Sequence, residues 1–250
     1  PSPRRSPRGR QKSTTLPSQR SPLAKERKPI RRSSRRSPLP KRAPVPLPSA
    51  GMSAAAAYAA FATGKEVDAV LHAFEALLAQ TATSPDAGAE MLPTLRAALE
   101  PALPWAQKQL FASLSSRAAL PQYFHADAKR ACSGMQVVVV GAGPVGLRTA
   151  IEMALLGAGV RVLDARSTFS RLNVLHLWEW VQSDLVSLGL KKLDPAAFQN
   201  AAFVCLGTSR LQHLLLKFAL LLGVRIDFGC QLNSLRDLAD PTRGAPHLVV

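Results

Sequence analysis

Three glycines in one short segment have the spacing of a phosphate-binding turn. They are Gly141, Gly143 and Gly146 in the string Gly-Ala-Gly-Pro-Val-Gly. In a dinucleotide-binding unit the first glycine permits a tight turn, the second lets a pyrophosphate approach the backbone, and the third lets a helix pack closely on a strand. The N–H groups at the start of that helix face the phosphate charge. This pattern predicts binding of an adenine dinucleotide, and the alternative is a glycine-rich turn without a ligand.

An acid lies where such a unit holds the adenosine. Asp164 follows Gly141 by 23 residues, and a carboxylate at the end of the second strand accepts hydrogen bonds from ribose hydroxyls. Arg166 is ambiguous, because it can accommodate a 2′-phosphate or instead pair with Asp164. The spacing leaves FAD and NAD(P) both open.

The segments around the glycines predict a strand–turn–helix–strand unit. A glycine motif of this kind indicates dinucleotide binding only within such a unit. The Val-rich run 136–140 lies between Gly134 and Gly141 and is typical of a strand buried on both faces. A helix is predicted over Leu147–Leu156 and a second strand over Val160–Leu163.

The later segments extend this alternation. We expect a helix over Val174–Leu188, a helix over Ser209–Leu222 with Thr208 or Ser209 as its N-cap, a strand over Val224–Phe228 and a strand over 247–250. The order of elements predicts an α/β fold with a parallel sheet.

Residues 53–130 lack a strand pattern and are rich in helix formers. Helices are predicted over Ala54–Thr63, Glu66–Gln80, Met91–Leu99 and Trp105–Leu114. A helical segment therefore precedes the α/β unit, which we assign to residues 133–250.

The positive charge is concentrated at the N-terminus. Residues 1–50 hold 15 Lys and Arg and one acid, Glu26, so they carry +14 of the total net charge of +16. They also contain 11 of the 20 prolines. Too little apolar surface is present to offset the entropy of ordering, so we interpret 1–50 as a disordered, solvated tail. The alternatives are an organelle transit peptide, or a basic arm that contacts acidic surfaces or nucleic acid.

The cysteines and the hydropathy pattern favour an intracellular protein without a membrane span. Cys132, Cys205 and Cys230 lie far apart, so neither a disulfide framework nor a zinc site follows, and a reducing compartment is the simpler interpretation. No run approaches 18 uninterrupted apolar residues, and the apolar stretch Leu214–Leu222 is interrupted by Lys217 and predicts a core helix.

The string from Phe169 to Trp178, Phe-Ser-Arg-Leu-Asn-Val-Leu-His-Leu-Trp, resembles a string of the MICAL family of flavoprotein monooxygenases. In that family it follows the second Rossmann strand. Further likenesses lie upstream, around Phe74 and Trp105, and downstream, from Leu211 to Val224, so the resemblance covers about residues 55–235.

The resemblance implies a Rossmann-type, para-hydroxybenzoate-hydroxylase-like domain that binds FAD, is reduced by NADPH and uses O₂ to oxidise a substrate. MICAL enzymes oxidise methionines of filamentous actin, so F-actin is the implied partner and a cytoplasmic, cytoskeleton-associated location the implied site, with a nuclear or organellar location as the alternative. The residues that the resemblance places at the FAD are Gly141, Gly143, Val145 and Gly146 at the pyrophosphate, Asp164, Ala165 and Arg166 at the adenosine, and Arg171 and Asn173 towards the pyrophosphate and flavin. No catalytic side chain is predicted, because the flavin would carry the chemistry.

Several positions depart from the family pattern. The family has Glu at Asp164, Cys at Val145, Lys at Ala165 and Arg at Ser209. Its later Asp-Gly and Gly-Asp motifs have no counterpart before Val250, so we expect an incomplete domain that does not turn over alone. The rival interpretations are a flavin-binding or dead interaction module, a small-molecule aromatic hydroxylase of the same fold, and a nucleic-acid-associated protein that acts through its tail.

Overall fold

The computed structural model describes residues 52–191, 203–234, 238 and 246–250. The helices are α1 (Ala54–Thr63), α2 (Val67–Gln80), α3 (Met91–Leu99), α4 (Trp105–Ala118), α5 (Pro144–Leu155), α6 (Glu179–Ser187) and α7 (Thr208–Leu221). The strands are β1 (Gln136–Val140), β2 (Gly159–Asp164), β3 (Val174–Trp178), β4 (Phe203–Gly207), β5 (Arg225–Phe228) and β6 (Leu248–Val249). The predicted tail 1–50 lies outside the described residues, and so does most of the segment 189–209, where the resemblance is weak.

Four strands form a parallel sheet in the order β5-β2-β1-β6. The strand β1 lies between β2 and β6: the chain passes from β1 to β2 and β5 on one side, and then crosses back to β6 on the other side. In open α/β sheets, ligands bind at such a switch point, outside the carboxyl ends of the strands. The glycine-rich turn begins directly after β1, at this edge.

One hydrophobic cluster joins the sheet to the helices. It includes Val137 and Val139 of β1, Ile151 of α5 and Leu215 of α7, all buried, and it continues into α1–α4 through residues such as Phe61. The helix α5 packs against β1, β2 and α7. The helical segment 53–130 therefore packs onto the α/β unit, while the proposed division at 133 remains a prediction.

Most elements lie where the sequence predicts them. The bounds of α1, α3 and β1 match, α2 begins one residue later than predicted, and α4 continues to Ala118. The parallel sheet and the α/β class are confirmed. These segments have strong local periodicity or a continuous β-branched run, so their type depends little on distant partners.

The prediction of one helix over Val174–Leu188 is wrong in its first third. Residues 174–178 form β3, which pairs with β4 in a separate antiparallel ladder from Val174↔Gly207 to Trp178↔Phe203. Leu177 is buried, whereas Val174, His176 and Trp178 are exposed, the two-residue alternation of a strand. The backbone ladder with β4, a strand that the sequence analysis missed, outweighs the local helix preference. His176, which we expected on a helix, therefore lies on a strand.

The predicted N-cap of α7 is also wrong. The N-cap is Gly207, and no side chain caps the helix. The Thr208 hydroxyl instead donates to the carbonyl oxygen of Asn173 at 2.8 Å, and the Thr208 N–H donates to the same oxygen at 2.8 Å. These bonds attach the start of α7 to the segment that precedes β3.

Within the described part of the chain, no helix is long and apolar enough to cross a membrane.

A polar cluster joins α4, α5 and α6 beside the core. Asp184 accepts two bonds from Arg148, at 2.7 and 2.9 Å, and one from Arg117 at 3.1 Å. Glu152 accepts from Arg148 at 2.6 Å, and Arg117 also donates to Ser187 at 2.8 Å. The hydrogen-bonded Arg148 guanidinium holds the pKa of the Asp184 carboxyl below its usual value. Bidentate Arg–carboxylate pairs are among the stronger polar contacts in proteins, so this cluster fixes α6 against α4 and α5.

Substituting Asp184→Asn should lower the free energy of unfolding by about 1–2 kcal/mol at neutral pH, an amount reduced by partial exposure of the cluster. Because the folded pKa of Asp184 lies below its unfolded value, the contribution is present well above about pH 4 and is lost as the pH falls through the folded pKa. Urea unfolding of wild type and variant at neutral and acidic pH measures the difference in the free energy of unfolding and how it depends on pH. The control Glu100→Gln removes an exposed pair with Arg96 and should change stability by less than about 0.5 kcal/mol. If Asp184→Asn lowered the free energy of unfolding by the same amount at every pH, the ionised carboxylate of Asp184 would not be the stabilising group.

Candidate dinucleotide-binding site

The glycine-rich turn has the backbone geometry that its glycines predict. Gly141 has a φ of +107°, a conformation that side chains disfavour, and its N–H donates to the carbonyl oxygen of Leu163 at 2.7 Å. A Cβ added at Gly146 would clash with the carbonyl oxygen of Gly141. The first glycine is therefore required by the backbone conformation of the turn, and the third by the protein's own packing.

The second glycine is different. Gly143 is the N-cap of α5, with φ −69° and ψ 169°, and an added Cβ there would meet no atom within 4 Å. No side chain caps α5, and its first residue is Pro144. The N–H groups of its first turn are thus available to an anion. Gly143 faces open space at the point where a pyrophosphate would approach the backbone.

Asp164 lies beside the turn and is bonded to it. Its Oδ2 accepts the N–H of Ala142 at 2.7 Å and its Oδ1 accepts the N–H of Arg166 at 2.8 Å. The residue is only 9% exposed. Each carboxylate oxygen has two lone pairs, so each retains one for a ribose hydroxyl. Within the described residues the Arg166 side chain forms no ion pair with Asp164, which removes that alternative interpretation of the acid.

Backbone hydrogen bonds also fix the end of β2. Cys230 donates its N–H to the carbonyl oxygen of Asp164 at 2.9 Å, and Gly229 donates to that of Arg166 at 3.1 Å. Burial raises the pKa of the Cys230 thiol, which makes it a structural rather than a reactive group. The end of β2 is therefore anchored by backbone bonds to the segment after β5.

The remaining predicted site residues are exposed. Val145 is 81% exposed on the first turn of α5, and Ala165 and Arg166 are exposed after β2. The exposed side chains of Arg171 and Asn173 make no hydrogen bond to the turn among the residues that the structure describes. The structure thus brings the three glycines and Asp164 into one bonded unit, and the described contacts do not join these five side chains to it.

Arg171 lines a separate cavity of about 700 Å³ at the N-terminal end of α7. Among the described residues, the cavity wall also includes the basic side chains of Lys65, Arg210, His213 and Lys217 and no carboxylate. None of Lys65, Arg171 and Arg210 forms an ion pair with the described residues. An acid-free basic cavity beside an uncapped helix start favours an anionic ligand.

Lys217, which interrupts the apolar run of α7, has a structural role that the sequence analysis missed. Its ammonium donates to the carbonyl oxygens of Ala62 and Gly64 at 2.7 and 2.8 Å. These carbonyls lie at the end of α1, so the lysine supplies donors that the helix terminus lacks. Burial lowers the pKa of this lysine.

Gln212 was also missed as part of the site. It is 4% exposed on the buried face of α7, and its Nε2 donates to the carbonyl oxygen of Ala142 in the turn at 2.8 Å. The signal in the sequence was a polar residue at a core position of an apolar helix, one turn before Leu215 and Leu216. No cluster of three or more His, Cys, Asp or Glu side chains suited to a metal occurs among the described residues.

Comparison with known proteins supports this geometry. A family profile for an FAD binding domain matches residues 134–174, a range that contains every predicted FAD-site residue. The protein named [F-actin]-monooxygenase MICAL1 of Bos taurus is 41% identical over 167 residues, which are 67% of this chain and 15% of that protein. The human protein of the same name is 46% identical over 132 residues, 53% of this chain and 12% of that protein.

The resemblance to the MICAL family is confirmed. A third relative, named protein-methionine sulfoxide oxidase mical3b of Danio rerio, is 39% identical over 174 residues, 70% of this chain and 10% of that protein. The chain therefore spans about 10–15% of the length of these MICAL relatives.

Among solved structures, one titled "Crystal structure of FqzB" matches 42% of this chain and 30% of its own, with 23% identity and a TM-score of 0.34. That score is too low to compare the two folds in detail. The assignment of a Rossmann-type FAD-binding unit depends on the strand order, the geometry of the turn and the FAD binding domain match.

Proposed function

We propose that this chain binds FAD and forms the nucleotide-binding part of an NADPH-dependent flavin monooxygenase. The proposal depends on the open space at Gly143. Among the described residues no side chain caps the start of α5, and a Cβ at Gly143 would meet no atom within 4 Å, so a diphosphate has room to bind there. Asp164, with a free lone pair on each oxygen, lies at the adenosine end. The residues present therefore fit the cofactor.

Each predicted residue has a role in this proposal. Gly143, with the N–H groups of Val145 and Gly146, binds the diphosphate, and Gly141 and Gly146 maintain the turn that presents them. Asp164 binds the ribose, with Ala165 and Arg166 around the adenosine. Arg171 and Asn173 extend the site towards the flavin, since a guanidinium pairs with phosphate and an amide offers both donor and acceptor. Bound FAD would supply the redox chemistry.

The family suggests a reductant and a substrate. The printed names of the relatives, F-actin monooxygenase and protein-methionine sulfoxide oxidase, suggest methionines of F-actin as the substrate, and with it a cytoskeletal, cytoplasmic location. NADPH is proposed as the reductant. The basic cavity lined by Lys65, Arg171 and Arg210 suits a phosphate-bearing dinucleotide of this kind.

The purified chain should bind FAD in a one-to-one complex, detected by flavin absorption after gel filtration and by titration calorimetry. Adding NADPH under anaerobic conditions, followed by air, tests whether bound flavin is reduced and reoxidised. F-actin and a simple phenol, added in parallel, distinguish a protein substrate from a small aromatic one. A folded chain that binds neither FAD nor ADP would refute the proposal.

A flavin-binding module without turnover is the second candidate. The departures from the family favour it: Ser209 replaces an arginine at the start of α7, and Asp164 replaces a longer glutamate. In that case FAD should bind, but NADPH should leave its absorption unchanged.

A further inference from the structure

Buried side chains bind both of the peptide groups that flank Ala142. The N–H of Ala142 donates to Asp164 at 2.7 Å, and its carbonyl oxygen accepts from Gln212 at 2.8 Å. Ala142 is 0% exposed, so water does not compete for either bond. Two elements that are distant in sequence, the end of β2 and the first turns of α7, thus fix the centre of the glycine-rich turn.

The orientation of the Gln212 amide is determined by this contact. Nε2 must face the Ala142 carbonyl, since the opposite orientation would place two acceptors against each other. Oε1 is then buried without a hydrogen-bond partner among the described residues. An unsatisfied buried acceptor destabilises the fold. Leucine or methionine would avoid that cost, but would leave the carbonyl of Ala142 without its donor.

We propose that Gln212 is a positioning residue for the nucleotide site, an inference that rests on the proposed function. Its amide fixes the Ala142 carbonyl, and the N–H groups that meet the diphosphate follow directly after Gly143. Asp164 on one side and Gln212 on the other prevent this part of the turn from rotating. Donors that are ordered before binding do not incur the entropy of ordering the loop when the ligand arrives.

The first test is Gln212→Met in the full chain, which keeps the volume of the side chain and removes its donor. FAD affinity should fall about tenfold or more, as expected for the loss of a group that orients binding residues. Amide hydrogen exchange in the peptide around residues 139–147 of the ligand-free chain should become about tenfold faster. Exchange in β5 should stay unchanged.

The matched control is Gln182→Met. Gln182 also donates its side-chain amide to a backbone carbonyl, that of Leu177, at 3.4 Å, but it lies on α6 and makes no bond to the turn. The Gln182→Met variant should therefore keep the wild-type FAD affinity and the wild-type rate of amide hydrogen exchange in the turn.

Gln212→Glu separates positioning from general packing. Its carboxyl has the same shape, but it can donate to the Ala142 carbonyl only when protonated. FAD affinity relative to wild type at the same pH should be near normal in mild acid and should decrease as the pH rises. A relative affinity that stays the same at every pH would contradict the positioning role.

The outcomes distinguish this inference from the proposed function. If wild type binds FAD and Gln212→Met binds it equally well with unchanged exchange, the positioning role is wrong and the proposed function stands. If wild type binds no FAD, the proposed function fails, and local exchange in the turn still decides whether Gln212 orders it. If Gln212→Met does not fold, the pH dependence of Gln212→Glu decides: a constant relative affinity overturns the inference.

Discussion

Replacing Gly143 by alanine should strongly weaken FAD binding while the protein remains folded. The added methyl group meets no protein atom within 4 Å, so it would occupy the space that the diphosphate needs. A φ of −69° is also allowed for alanine. We expect affinity for FAD to fall about 100-fold, which corresponds to about 2.7 kcal/mol of binding free energy.

The stability of this variant should change little, because two small effects oppose each other. Alanine is a poorer N-cap than glycine, which destabilises α5. Alanine also has less conformational freedom in the unfolded chain, which stabilises the fold by about 0.4–1 kcal/mol. Calorimetric titration with FAD and with ADP, together with thermal unfolding, measures both quantities. Wild-type affinity in Gly143→Ala would mean that no phosphate lies at this turn.

The sequence identified the turn correctly because its requirements are local. A β-branched run, three glycines at fixed spacing and an apolar helix face lie within about 30 consecutive residues. The same local information places Asp164 at the end of β2. It does not reveal that the carboxylate accepts the N–H of Ala142, because that bond depends on the side-by-side pairing of β1 and β2.

The features that sequence analysis missed all depend on distant partners. The strand β3 exists through its ladder with β4, whose pair closest in sequence, Trp178 and Phe203, is 25 residues apart. Gln212 reaches the turn across 70 residues and Lys217 reaches Gly64 across 153. For β3 a short-range rule gave the opposite expectation, a helix over Val174–Leu188. For α7 the predicted core helix is correct, but no local rule assigned a partner to Gln212 or Lys217. Tertiary contacts override such rules where a buried polar group or an exposed strand edge must be satisfied.

Gly146→Ala should produce the largest loss of stability of any single methyl addition in the turn. Its Cβ would clash with the carbonyl oxygen of Gly141, a backbone atom that cannot move without breaking the tight turn. Alanine inside a helix is normally favoured over glycine by about 1 kcal/mol, so any destabilisation must come from this contact. Overpacking of this kind costs about 1–3 kcal/mol or more. For a domain of this size, that corresponds to a fall in melting temperature of roughly 2–4 °C for each kcal/mol.

Comparing Gly146→Ala with Gly143→Ala separates the two reasons for which a dinucleotide turn uses glycine. Both variants add one methyl group to the same turn, but only Gly146 faces the protein. Gly146→Ala should therefore lose stability and FAD affinity together, whereas Gly143→Ala should lose affinity alone. Urea unfolding without ligand gives the free energy of unfolding of each variant. Titration of the folded protein with FAD gives its affinity. If Gly146→Ala were as stable as wild type, α5 would not pack on β1 as closely as the structure shows, and the N–H groups at its start would not be directed at a diphosphate.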